Sequence, residues 1–369
     1  MHVRLPKWSL FAGLPRPLIK RAATFSMGCS VSKSKQQRSS PRASRSDEPN
    51  YMDLAGSVDA GGISDQAAHP PRGPIRVEST VDQSFPELEK FRLDKSQLQL
   101  TRKVSRGAFG IVYLGRYRGG PVAVKRMVGD EDFEDESTCF SHEIETMSRL
   151  GHPKIVRFIG CTWTSKKDLS AVAEYMGMGD VRMLLDMRKV ELSWTKEKIS
   201  IATDIAEALA YMHSQSPKII HRDIKSRSVL LSNDMVAKVS GSGLSCRTYK
   251  EALTAGVGTV RWTAPEVMLG DDYSEQADVY SLGVVLSELD TREIPFEEKS
   301  GKTGGGAPDM AIVIKVAKGE LRPSFAPDCP DVILRIARAC LQFDPALRPD
   351  SNSVVQMLND ARVQLQATS

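Results

Sequence analysis

The spacing of apolar residues changes along the chain and divides it into regions. From Gly28 to about Pro86 the sequence is rich in Ser, Pro, Gly, Gln and charge, with few large apolar side chains whose burial would offset the entropy of ordering. This predicts a disordered tether over 27–90, with order beginning near Phe91. Short β-type runs follow at Leu98 to Leu100, Ile111 to Leu114 and Val122 to Val124, separated by Gly-containing turns, the pattern of a small antiparallel sheet. Later the period lengthens. Ile201, Ile205, Ala208 and Met212 recur at helical spacing, as do Val279, Leu282, Val285 and Leu286. Strands first and helices afterwards predict an α+β chain over 91–369: a sheet lobe, a mainly helical lobe and a cleft between them. Gly301 to Ala307 reads as a surface insertion.

Composition adds exclusions. Against 50 Lys and Arg stand 46 Asp and Glu, a net charge of +4 that gives no argument for a nucleic-acid partner. Charge location says more, because every charged residue before Asp47 is basic and marks 1–26 as a basic leader. The six cysteines lie far apart with no CxxC pair, so neither a zinc site nor a compact disulfide framework is expected, and a reducing compartment fits. No uninterrupted apolar stretch reaches the length of a membrane-spanning helix.

Three stretches carry residues suited to nucleotide. Ser105, Gly107 and Gly110 lie in a turn between strand runs ending at Val112, where missing side chains let backbone amides close over phosphates, although glycine pairs in hairpin turns are common. In the Val122–Lys125 run the strand period puts Ala123 and Lys125 on one face. A flat base fits under Ala123, and Lys125 then reaches phosphates if it is not simply a solvated lysine. Glu143 and Met147 share one face of the next helical segment, and a Lys125–Glu143 ion pair is the sharper expectation. Ala173, Glu174, Tyr175 and Met176, followed by Gly177 and Gly179, predict a hinge near 174–179 whose backbone bonds adenine.

Ile220-His221-Arg222-Asp223-Ile224-Lys225-Ser226-Arg227-Ser228, followed by the apolar run Val229 to Leu231, resembles the protein-kinase catalytic loop HRDxKxxN. Gly258 to Glu266 is similar to the family's GTxxWxAPE segment, Asp278 to Gly283 resembles its central buried helix, and Arg348 sits in a DPxxRP element. The resemblance covers roughly Leu98 to Gln364. It implies the bilobal kinase fold, with a small antiparallel sheet and one main helix in the first lobe and a larger helical second lobe. Lys225 and Thr259 resemble the serine/threonine type, and the wording around Arg261 and Trp262 resembles the tyrosine-kinase-like, Raf-related branch. By the same resemblance Asp223 accepts the substrate hydroxyl proton, Lys225 steadies the transferred phosphoryl and Lys125 holds the other phosphates. Val112, Ala123 and Leu230 sandwich adenine. Glu266 and Arg348 form a structural ion pair, and Asp278 supports the loop backbone.

Two positions depart from the pattern. The family's metal-binding DFG aligns with Gly241-Ser242-Gly243, and its metal-binding Asn aligns with Ser228. Magnesium prefers carboxylate and phosphate oxygen, so Gly241 offers nothing and Ser228 a poor substitute. Losing one such partner commonly slows an enzyme about a hundred- to a thousandfold. The expectation is an ATP-binding pseudokinase with Mg²⁺ weak or absent, acting as a scaffold or allosteric partner of signalling proteins. The alternatives are an active Ser/Thr kinase with atypical metal handling, for which Asp234 is the nearest acid, and a nucleotide-free adaptor. Ser242 stands where the family buries a Phe in a stack running through Met147, Phe158 and His221. Ser245, Thr248, Tyr249 and Thr254 are candidate phosphorylation sites that would pair with Arg222, or simply a polar loop.

Met27-Gly28-Cys29-Ser30-Val31-Ser32 fits the myristoylation pattern if translation begins at Met27. One myristoyl chain binds membrane marginally, and palmitate on Cys29 with Lys33, Lys35 and Arg38 against anionic lipid supplies the second attachment. The expectation is a cytoplasmic protein held at the plasma membrane. Its rival is a mitochondrial presequence, since residues 1–26 are acid-free and mix apolar with basic side chains.

Overall fold

Alternation in the Val122–Lys125 run places two valines on one side of a strand, and the first lobe is built around that strand. The computed structural model describes residues 84–107, 110–127, 133–241, 258–270, 274–297 and 309–367. Strands β1 (Leu98–Gly107), β2 (Gly110–Tyr117), β3 (Gly120–Arg126), β4 (Phe158–Thr162) and β5 (Ser170–Glu174) form one antiparallel sheet in the order β1-β2-β3-β5-β4. Val122, Val124 and Val172 are buried on one face beneath Leu93, Tyr113, Tyr117 and Ile159. On the other face Cys161 and Ala171 pack with Phe140 and Ile144 of helix α1 (Phe133–Arg149). The expected lobe is present, with strands longer than the apolar runs.

The second lobe is helical: α2 (Val181–Asp186), α3 (Glu197–His213), α4 (Pro265–Leu269), α5 (Gln276–Thr291), α6 (Asp309–Ala317), α7 (Asp331–Cys340) and α8 (Ser351–Ala367), with a two-stranded hairpin of β6 (Val229–Leu231) and β7 (Ala237–Val239). The periodic residues of α3 and α5 all fall in one core, and α5 is buried continuously from Ala277 to Asp290. A helix buried all round must satisfy its polar side chains internally. Asp278 accepts from the His221 and Arg222 amides at 2.7 and 2.8 Å, so α5 holds the 220–228 loop from beneath. Glu288 accepts from Ser226 Oγ and Trp262 Nε1, each at 2.6 Å. Asp290 accepts from Trp194 Nε1 and the Ala326 amide at 2.8 and 2.7 Å.

Two expectations change. Order does not start at Phe91: Phe85 and Leu88 are buried in the first lobe's core, so 85–90 joins the folded unit rather than the tether. Cys139 in α1 is disulfide-bonded, and its partner lies outside the described residues, whereas Cys161, Cys329 and Cys340 are thiols. The widely spaced cysteines gave no hint of that bond. The Gly301–Ala307 insertion and residues 1–83 also lie outside the described residues.

Candidate active site

Lys125 projects from the centre of the sheet, and the register puts it beside Val112 of β2 and Ala171 of β5. Its Nζ donates to Glu143 Oε1 and Oε2 at 2.6 and 2.9 Å, which establishes the ion pair expected from spacing. Phe140 closes one side, its ring centroid 5.2 Å from the ammonium. Ala123 pairs with Leu114 and Ala173 on the same face, leaving a flat apolar wall next to the lysine. The β1–β2 turn continues this face through Ser105↔Val112 and Gly107↔Gly110. Gly110 has φ +128°, and a Cβ there would run into the Arg126 carbonyl oxygen, so the turn requires glycine.

The hinge follows β5. The Glu174 carboxylate accepts from Lys238 Nζ at 2.7 Å and from the Arg157 amide at 2.8 Å, so this side chain ties the hinge to β7 and to the segment before β4. Only the Glu174 backbone fits the adenine role. Met176 is buried, and the chain after it is zipped to β6 by Met178 N–H to Leu231 O at 3.3 Å and Leu231 N–H to Gly179 O at 2.8 Å. That pairing brings Leu230 under the hinge, opposite Asp180.

Asp223 and Lys225 lie together, Lys225 Nζ donating to Asp223 Oδ1 at 2.7 Å. Arg222 is exposed with φ +69° and belongs to the loop held by Asp278. The Glu266–Arg348 pair is bidentate, at 2.6 and 2.8 Å, and buried. Glu288 was missed by sequence reasoning. It gathers Ser226, Trp262 and Arg182, and burial pushes its carboxyl above the ordinary range against the opposing pull of those hydrogen bonds. An acid within the apolar run of α5, as Asp278 and Asp290 also are, was the available clue.

Neither position that aligns with the family's metal ligands carries a carboxylate or amide side chain. Ser228 is 2% exposed, and its hydroxyl oxygen accepts from the Lys225 amide at 3.0 Å while its proton is shared between the Asp223 and Lys225 carbonyls at 2.7 and 2.9 Å. The side chain staples the loop to itself. Gly241 lies close by, since Ser240 N–H donates to Ser228 O at 2.9 Å. A Cβ on Gly241 would stand 2.8 Å from Met147 Cγ and 3.1 Å from its Sδ, so a side chain there would require Met147 to move. Asp234 offers no substitute, being exposed in the β6–β7 turn at the opposite end of the hairpin. Among the described residues no group of three or more His, Cys, Asp or Glu is arranged to hold a metal. The donor set does not fit Mg²⁺.

Gly28, Cys29, Ser242 and Thr254 lie outside the described residues. Residues 98–358 match the family described as protein tyrosine and serine/threonine kinase. The chain is similar to the probable serine/threonine-protein kinase drkC of Dictyostelium discoideum, 36% identical over 272 residues, which are 72% of this chain and 35% of that protein. It is likewise similar to drkB of the same organism, 32% identical over 266 residues, 72% of this chain and 37% of drkB. With the serine/threonine/tyrosine-protein kinase HT1 of Arabidopsis thaliana it shares 33% identity over 287 residues, 76% of this chain and 70% of that one. The chain thus spans little more than a third of drkC and drkB but most of HT1.

Proposed function

The chain belongs to the protein tyrosine and serine/threonine kinase family, and from there we propose that it binds ATP yet transfers phosphate poorly, working as a scaffold or allosteric partner in signalling. The observation that carries this reading is the engagement of Ser228 within its own loop together with the Met147 side chain against Gly241. Kinase-family membership implies ATP and ordinarily Mg²⁺. ATP would lie between Ala123 and Leu230, with Lys125 on its phosphates and hinge backbone on its base, and would supply a transferable phosphoryl group. Lys125, Glu143 and Ala123 support binding; nothing comparable supports a protein-held metal.

A second reading, an active Ser/Thr kinase with unusual metal handling, is favoured by the adjacent Asp223 and Lys225 and by relatives named as kinases. Transfer of radiolabelled phosphate to the chain itself and to a generic Ser/Thr protein substrate separates the two. Background transfer, equal to that of Asp223→Asn, is expected. Robust turnover abolished by Asp223→Asn overturns the first reading and establishes the second.

We further propose membrane attachment through myristate on Gly28 and palmitate on Cys29, assisted by Lys33, Lys35 and Arg38. The support is the Met27–Ser32 pattern followed by basic residues. Mass spectrometry of the N-terminal peptide tests it: acylated Gly28 is expected, and an intact Met1 peptide refutes it. Phosphorylation of Thr254 answered by Arg222 is a regulatory proposal that fails if Thr254→Ala leaves signalling unchanged.

A further inference from the structure

We propose that Phe85–Leu93 is a positioning strap for the Lys125–Glu143 pair, wedged behind α1 and acting on Glu143 through Phe140 and Ile144. The segment begins with the short helix Pro86–Phe91, started by a proline whose missing N–H costs nothing at that position. Leu88 is 0% exposed and Phe85 4%, in one cluster with Phe140, Ile144, Cys161 and Trp163. Phe85 meets Trp163 edge to face at 5.8 Å, and Phe91 meets Phe158 in the same manner at 5.8 Å. The segment then runs beside β4: Arg92 bridges to Cys161 in parallel, and Leu93 N–H donates to Cys161 O at 2.8 Å. Arg92 stacks on the Trp163 ring at 4.2 Å and donates to the Trp163 carbonyl at 3.1 Å. Gly160 makes room, since a Cβ there would sit 2.6 Å from Leu93 Cδ2 and 2.7 Å from Phe91 O.

Glu143 lies three residues after Phe140 and immediately before Ile144, so a shift of those two residues against the sheet displaces the carboxylate. Phe140 connects both systems, touching the strap's cluster on one side and standing 5.2 Å from the Lys125 ammonium on the other. Removal of the strap takes Phe85 and Leu88 from the cluster that packs α1 and leaves only the sheet-side partners, and a helix that loses buried contacts opens locally before the whole fold does. The strap also covers a reporter. Cys161 is 0% exposed, burial pushes its thiol up to about 12, and its sulfur faces the Leu88 and Phe91 carbonyls at 3.9 and 3.8 Å.

The consequence for nucleotide rests on the ATP-binding reading above, but the action on α1 does not. The test uses the full chain carrying Phe85→Ala and Leu88→Ala, with maleimide labelling of Cys161 resolved by peptide mass and hydrogen exchange of residues 137–149. Both are expected to rise by about tenfold or more while the α5 amides stay protected, and Leu88→Met alone keeps both at the wild-type level. ATP affinity falls in the double variant and not in Leu88→Met. Should the double variant also expose α5, Gly160→Ala, which removes no apolar side chain and only crowds Leu93 and Phe91, gives the same comparison. Labelled Cys161 with unchanged exchange in 137–149, or no change in either, overturns the proposal. Wild-type chain that binds no ATP refutes the nucleotide reading instead, and leaves the exchange comparison intact.

Discussion

On the sheet side of the cleft Lys125 reaches Glu143 at 2.6 and 2.9 Å beside the open alanine wall of β3 and β5; on the helical side the Ser228 hydroxyl bonds only to its own loop. The first wall leaves an alanine face beside the lysine, and the second turns the Ser228 side chain inward. The contrast underlies the proposal that this cleft keeps the parts that recognise nucleotide without those that hold its metal. Recognition draws on β3 and the hinge, which also build the lobe. At the two positions that align with the family's metal ligands, the Ser228 hydroxyl closes its own loop and Gly241 lies against Met147.

Perturbing each wall in turn tests that contrast. Glu143→Ala strands a largely buried Lys125 and is expected to cost about 3–5 kcal/mol in urea unfolding, with weakened ATP binding. A cost below about 1 kcal/mol would put the pair in the class of surface pairs and remove the intact half of the comparison. Gly241→Asp forces its Cβ against Met147 and should cost about 1–3 kcal/mol. Met147→Ala should then be less damaging in that background than in the wild type, by about 1–2 kcal/mol, and strict additivity would show that Met147 does not fill the position. Ser228→Ala leaves the Lys225 amide without its acceptor and is expected to cost about 1–2 kcal/mol. No change in thermal midpoint would show that the staple is incidental.

Much of the intact wall was legible, because strand alternation fixes Ala123 and Lys125 on one face and helical spacing fixes Glu143 and Met147. The helical lobe was legible for the same reason, its apolar period being long and continuous. Strand β1 was under-read: register shifts between Leu100 and Arg102 and between Lys103 and Ser105 break the period of two, and most of its side chains are polar. The strap was read as tether because Phe85 and Leu88 stand alone in a polar stretch, and their burial depends on Trp163 and Cys161, far away in sequence. Ser228 and Gly241 were visible as substitutions. Their new occupations, a stapled loop and a Met147 contact, arise from backbone carbonyls and a helix that no local pattern brings together.

On the proposed reading the protein offers the divalent cation no seat beside the triphosphate. The direct test is the Kd for ATP measured calorimetrically with Mg²⁺ and with chelator in its place. Values within about threefold of each other are expected, since ligand-linked stabilisation would then come from nucleotide contacts alone. Binding tighter by about a hundredfold with Mg²⁺, an advantage lost in Ser228→Ala, would contradict it.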